Sequence, residues 1–254
     1  MTRIGAPRVI RPRLLHTDGV SDDPAGPAPV YAARRVAYAV GSLEEEGLAA
    51  SPLGQFERWY ADAVDAGLPE PNATVLGTAG VDGTPSGRTV LLKQADARGF
   101  VVYTNLLSRK GRELAATPRA SLTFPWYPMQ RQVCVRGGVE PVPREESAAY
   151  FSSRPWASRI GAWVSRQSEP VRSRAELDER WQVLAARWPD TGSPDDVPLP
   201  DHWGGVLVRP TEVEFWQGRP SRLHDRLVFL PTDAAAGWTG LDDPVGWRVV
   251  RRQP

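Results

Sequence analysis

The chain has 254 residues, with 31 basic and 30 acidic side chains and a formal net charge of +1. That balance gives no electrostatic case for nucleic acid or a membrane surface as partner. A single cysteine, Cys134, excludes an intrachain disulfide and any multi-cysteine metal site, and no apolar run reaches the ~20 residues that span a bilayer.

In chain order, residues 1–30 are rich in Pro, Gly, Asp and Arg without a period and read as a mobile tail, ahead of a single domain over 31–254. The stretch 30–48 carries a weak helical pattern. Ser51-Pro52 then looks like an N-cap and first-turn proline, followed by Leu53, Phe56, Trp59, Tyr60, Ala63 and Val64 at helical spacing, with Gly67 as the stop. Short runs rich in Val, Leu, Thr and Tyr predict strands over 73–79, 88–94 and 99–105, with Asp82-Gly83 as a turn. A short helix is expected over 108–116 with Ser108 as its cap, then strands over 119–126 and 131–142. Helices follow over 144–153, 158–165 and 173–188, the last opened by a Ser173-to-Glu176 capping box. Strands over 205–216, 222–230 and 247–252 finish the chain. The strands sit at hairpin spacing and the helices are not interleaved one for one. This predicts an α+β fold with an antiparallel sheet or barrel and appended helices.

Several familiar chemistries are missing from the pattern. No dinucleotide fingerprint, P-loop or Gly-x-Ser-x-Gly elbow occurs. The three histidines, His16, His202 and His224, are far apart, so no metal site is expected. What stands out is where cations sit. All but two of the 31 basic residues are Arg, the exceptions being Lys93 and Lys110. In residues 103–113 a strand runs into a helix whose first turn holds Ser108, Arg109 and Lys110. Amide donors, the helix dipole and two cations would together suit a phosphate; the alternative is a surface helix with its cations set against the dipole. Arg88 and Lys93 flank an apolar strand and, five residues apart, are expected on opposite faces. Gln132 and Gln167 stand beside arginines and suit the edge of a heterocycle with mixed donors and acceptors. Trp216 offers a flat surface. Arg222, His224 and Arg226 are expected to alternate along one strand face, lining a site for an anionic aromatic ligand or forming a solvated edge.

From about Arg35 to Pro254 the chain resembles the pyridoxamine/pyridoxine 5′-phosphate oxidases. The resemblance lies in FERW (56–59), RTVLLK (88–93), YTN (103–105), SRKGREL (108–114), FPWYPMQRQV (124–133), YFSSRP (150–155), IGAWVSRQS (160–168), HWGG (202–205) and EFWQGRPSRLHDR (214–226). It implies a homodimeric, antiparallel split β-barrel of Greek-key type that binds FMN at the dimer interface. It implies FMN contacts from Arg88, Thr89, Val90, Leu91, Lys93, Tyr103, Thr104, Arg109, Lys110, Gln132, Gln167, Ser168, Trp216 and Arg226. The substrate phosphate would fall to Lys93, Tyr150, Arg154 and Ser158. Arg222 and His224 would cover the pyridine ring as orienting groups, with no covalent nucleophile, and Arg35 and Tyr38 would belong to a lid.

The implied reaction is oxidation of pyridoxamine or pyridoxine 5′-phosphate by O₂ to pyridoxal 5′-phosphate with release of H₂O₂, in vitamin B6 biosynthesis or salvage, in the cytoplasm. The alternatives are a split-barrel flavin oxidase of another substrate, as in phenazine pathways, and a non-catalytic FMN or pyridoxal phosphate binder. The chain departs from the family at Val36 and Ala37 in the lid, at Trp156, expected in a loop, and over 231–246, which reads as a flexible insertion.

Overall fold

The computed structural model describes residues 37–233 and 239–254, and a sheet that closes on itself lies at its centre. The strands are β1 (Ala73–Ala79), β2 (Pro85–Asp96), β3 (Gly99–Asn105), β4 (Arg119–Trp126), β5 (Arg131–Pro141), β6 (Trp203–Gln217), β7 (Asp225–Pro231) and β8 (Trp247–Arg251). All pairs are antiparallel, in the order β3-β2-β1-β4-β5-β6-β7-β8, and β6 pairs back onto β3 to close six strands into a barrel. β4 returns beside β1 rather than β3, which is a Greek-key step. The β1–β2 turn is the expected one: Gly83 takes φ +79°, and the Asp82 carboxylate accepts the Thr84 amide at 3.0 Å and its hydroxyl at 2.8 Å.

Inside, the alternate residues of the strands meet the first helix, α1 (Pro52–Asp65). Ser51 caps it by accepting the Gly54 amide at 3.2 Å, with Pro52 in the first turn. Its buried stripe is Leu53, Phe56, Trp59 and Ala63. The Phe56 ring lies 5.0 Å from both Phe100 and Phe124, and Trp59 lies 5.3 Å from Phe215. Val64, expected on this stripe, is 51% exposed.

The other helices are α2 (Arg109–Ala116), α3 (Arg144–Ser153), α4 (Trp156–Val164) and α5 (Arg174–Arg187). The last three gather around a second core of Phe151, Ile160, Val164, Val197 and Trp203. Arg98 ties α3 to the barrel, reaching Asp96 and Glu146, each at 2.8 Å.

Four expectations differ from the structure. The helical pattern over 30–48 yields, in its described part, only a single 3₁₀ turn at Glu45–Gly47. That segment is instead held in extended form by outside partners, since Arg251 donates to Leu43 O and pairs with Glu44 and Glu45. The strand expected over 222–230 begins at Asp225, because Ser221 and Arg222 take φ of 56° and 62° after Pro220 and turn the chain. Arg222, His224 and Arg226 therefore do not share one strand face. Trp156 opens α4 rather than sitting in a loop, its indole N–H donating to Trp188 O at 2.9 Å. Finally, the described part of 231–246 belongs to the main core. Leu241 is fully buried there, and its backbone bonds to Leu53 and Ala97. The tail expected over 1–30 lies outside the described residues.

Leu241→Ala is therefore expected to destabilise the protein by about 2–5 kcal/mol, the usual cost of emptying a buried leucine site. Val245→Ala, at a 79% exposed position of the same segment, should leave thermal stability within about 0.5 kcal/mol of the parent. Equal melting temperatures for the two variants would contradict a core role for Leu241.

Candidate active site

A cleft of about 950 Å³ opens between β2, the end of β3, the start of α2 and the α3–α4 corner. It gathers Arg88, Thr89, Val90, Leu91 and Lys93 from β2, Tyr103 and Thr104 from β3, and Arg109 and Lys110 from α2. Gln167 and Ser168 join them from the segment after α4, and Tyr150, Arg154 and Ser158 from α3 and α4. Arg88 and Lys93, expected on opposite faces, both border it. Strict alternation ends here, because the β2–β3 register shifts between Leu92 and Gln94. Both lysines of this Arg-rich chain thus line one cleft.

At its α2 end, Ser108 caps the helix by accepting the Gly111 amide at 3.3 Å. Gly111 is required there, since a Cβ would stand 2.1 Å from Leu106 O. The amides of Arg109 and Gly111, expected to face an anion, are already engaged: Ser168 Oγ accepts the first at 3.0 Å and Ser108 Oγ the second. The cationic side chains, more than the amides, make this an anion site. Lys110 is only 8% exposed, and its Nζ donates to Gln167 Oε1 at 2.5 Å and Ser108 Oγ at 3.3 Å. Burial first, and Arg88 second, lower its pKa, an effect that a bound anion would oppose.

Sequence reasoning passed over Glu113, also 8% exposed. Its Oε2 accepts from Thr78 Oγ1 at 2.5 Å and Ser86 Oγ at 2.6 Å, and its Oε1 from Arg109 Nε at 2.8 Å. Arg88 Nη2 lies 3.4 Å from the same carboxylate. These partners hold Glu113 far below the usual carboxylate range, at about 2. The four-residue spacing from Arg109 was the available signal, but that spacing is common on any exposed helix.

At the other end, Tyr103, Tyr150 and Trp203 form a stack, with ring centres 4.2 Å apart for the tyrosines and 5.4 Å for Tyr103 and Trp203. Gly205, opposite Tyr103 across the β3–β6 ladder, leaves room for that ring, since a Cβ would stand 2.7 Å from it. The Arg154 guanidinium lies 4.8 Å over the Trp203 ring. Its Nη1 is buried with no hydrogen-bond partner among the described residues, and burial lowers its pKa, with Arg159 adding to the effect. A buried, unsatisfied guanidinium nitrogen on a cleft wall calls for an anionic ligand.

The remaining expected residues form a second cluster that does not line this cleft. Gln132, Trp216 and Arg226 stand side by side across β5, β6 and β7. Trp216 lies 4.6 Å from His224, and Tyr38 meets both rings edge-on at 5.9 and 5.4 Å. Arg226 is held by Glu214 at 2.7 Å. The Arg219 amide donates to His224 Nδ1 at 3.1 Å, which leaves Nε2 to carry the ring proton. Burial and then Arg222 lower the His224 pKa, which favours the neutral ring. Arg222 sits in the preceding turn, and Arg35 lies outside the described residues.

Among the described residues, no group of His, Cys, Asp and Glu could hold a metal, and no helix is long and apolar enough to cross a membrane. The cleft, in contrast, fits a phosphorylated cofactor. Cations and amide side chains line one end, while an unsatisfied guanidinium beside stacked aromatic rings suits a second anion at the other.

The comparisons with known proteins agree with this geometry. Residues 60–186 match the family described as pyridoxamine 5′-phosphate oxidase, and residues 203–254 match the pyridoxine 5′-phosphate oxidase C-terminal dimerisation region. A pyridoxine/pyridoxamine 5′-phosphate oxidase of Kineococcus radiotolerans is 58% identical, covering 92% of this chain and 100% of its own length. One of Frankia alni is 52% identical over 91% of this chain and 95% of its own. The crystal structure of PhzG from Burkholderia lata, in complex with tetrahydrophenazine-1-carboxylic acid, superposes with a TM-score of 0.73 at 28% identity, covering 85% and 99% of the two chains. With its closed antiparallel barrel and its cation-lined cleft, the chain belongs to the pyridoxine/pyridoxamine 5′-phosphate oxidase family.

Proposed function

We propose that this chain oxidises pyridoxamine 5′-phosphate and pyridoxine 5′-phosphate to pyridoxal 5′-phosphate, with FMN as cofactor and O₂ as the final oxidant. The observation that carries the substrate choice is Arg154, whose buried Nη1 lacks a partner on a wall shared with Lys93, Tyr150 and Ser158. A phosphate there would satisfy it. A substrate without an anionic group at that wall would leave the nitrogen buried and unpaired; the carboxylic acid bound by PhzG is the alternative anion.

FMN, when bound, supplies the two-electron acceptor for a hydride from the substrate's 4′ carbon and passes the electrons to O₂, yielding H₂O₂. Arg88, Arg109 and Lys110 would hold its phosphate, and β2 residues Thr89, Val90 and Leu91, with Tyr103, Thr104, Gln167 and Ser168, would border the rest of it. Lys93, Tyr150, Arg154 and Ser158 fix the substrate by its phosphate. Arg222 and His224 orient the ring, and His224, neutral with its proton on Nε2, donates a hydrogen bond to an oxygen on the ring's edge. None of these groups forms a covalent bond to substrate. Positioning of this kind is worth several kcal/mol of barrier.

The Gln132, Trp216, Arg222, His224 and Arg226 cluster stands apart from the cleft of its own chain. We therefore assign it to the site of a second copy in a homodimer, with FMN at the interface and Arg35 and Tyr38 closing over it. This oxidase unit is read as residues 31–254.

Purified protein given pyridoxamine 5′-phosphate in air is expected to form aldehyde and H₂O₂ in equal amounts and to show a flavin spectrum. Flavin without turnover of either vitamer phosphate would favour another substrate, and a stable flavin complex with no H₂O₂ would favour a binder. Arg154→Ala should raise KM for the phosphorylated substrates by at least about tenfold, the worth of a charge-assisted hydrogen bond, while FMN binding is unchanged. Arg222→Ala and His224→Asn should lower turnover with flavin still bound. Because burial depresses the His224 pKa, the acid limb of kcat/KM that needs its neutral ring is expected at lower pH than for an exposed imidazole. That limb should vanish in His224→Asn; its persistence would assign it to another group.

A further inference from the structure

A carboxylate among the cations of a phosphate site is, on charge alone, a liability. Glu113 nonetheless sits beneath Arg88 and Arg109, nearly buried, and is engaged on both oxygens. It takes Arg109 by Nε alone, and no hydrogen bond engages the two terminal guanidinium nitrogens of Arg109 among the described residues. Arg88 is fixed from the same side. It donates to Leu76 O at 3.2 Å and to Thr78 Oγ1 at 2.5 Å, and Thr78 and Ser86 in turn donate to Glu113. The two arginines thus share one buried anchor. Arg88, Arg109 and Lys110 contribute three positive charges and Glu113 one negative, leaving two in excess. A terminal phosphomonoester carries nearly two negative charges at pH 7. Glu113, held at about 2 by its donors, supplies its negative charge at neutral pH.

We propose that Glu113 is the positioning residue of the cofactor's phosphate cradle, holding Arg88 and Arg109 in place and matching the cradle's charge to a phosphomonoester dianion. It therefore sets how strongly the site prefers a flavin ending in phosphate over one ending in a hydroxyl. The inference rests on the reading of this cleft as the FMN site. It concerns the choice of flavin rather than the oxidation itself.

The experiment is a pair of flavin titrations on the full chain stripped of cofactor, with FMN and with riboflavin, for the parent, Glu113→Gln and Ser86→Ala. The parent should bind FMN the more tightly. Glu113→Gln should weaken FMN by at least about tenfold and leave riboflavin unchanged, so the ratio of the two dissociation constants collapses. Ser86→Ala keeps the carboxylate but removes one donor to it, and should move the ratio the same way by a smaller factor. This holds the test open if Glu113→Gln fails to fold. Equal weakening of both flavins would mean a merely structural role and overturn the proposal, as would an unchanged ratio. A parent chain that binds neither flavin would overturn the cofactor reading itself, and this inference with it.

Discussion

The pairing of β6 with β3 on one side and β5 on the other closes the barrel, and its register decides what reaches the cleft. Asn105 falls opposite Trp203 and Tyr103 opposite Gly205, so an indole and a phenol stack where a glycine leaves room for the ring. That stack is the floor on which Arg154 rests. The end of β3 leads within a few residues into Ser108 and α2, whose start carries the other cations. A register slip of one residue would turn Tyr103 and Gly205 to opposite faces and separate the two anion-binding ends. The closing ladder is thus a constraint on function as well as on fold.

With the barrel closed, the cleft concentrates like charges at a cost that its own structure records. Burial lowers the pKa of both Lys110 and Arg154, with Arg88 adding to the effect at the first and Arg159 at the second. Such a site is less stable empty than filled, which is the arrangement expected where ligand charge completes the fold locally. Glu113 offsets part of the repulsion at the α2 end. Its own low pKa reflects the donors around the carboxylate, the Ser86 and Thr78 hydroxyls ahead of Arg109.

Much of this was legible in the residues. The α1 cap and stripe, the Asp82-Gly83 turn and the Ser108 cap follow from local rules, because each is settled within one turn of chain. Other features depend on partners distant in sequence. The weak helical pattern before Gly47 gives way to extended chain because Arg251, about 200 positions away, holds Leu43 to Glu45. Leu241 was hidden in a stretch dominated by Gly, Asp, Thr and Pro, and nothing local marks it as the side chain that fills the core beside α1. Arg222, His224 and Arg226 read as a strand face because alternation is blind to backbone sign. Only the positive φ at Ser221 and Arg222 shows that the chain turns there. Glu113 escaped notice because a helical Arg–Glu pair at four-residue spacing carries no sign of what lies beneath it.

The position of the second cluster is itself an argument about assembly. Trp203, in the cleft, and Trp216, beside His224, lie on the same strand, β6. Thirteen residues of extended chain separate them, a span of up to about 40 Å. The Trp216 end of β6 does not line the cleft that Trp203 borders. Yet Gln132, Trp216 and Arg226 are in lateral register on three strands, and Arg226 and His224 are each oriented by a partner of their own. A surface so ordered, with Trp216, His224 and Arg226 inside the segment that matches a dimerisation region, is suited to meet a ligand held by another chain. A two-fold axis makes that exchange mutual, so each copy would lend its ordered strand end to the cation-lined cleft of the other, and two equivalent sites would follow from one interface.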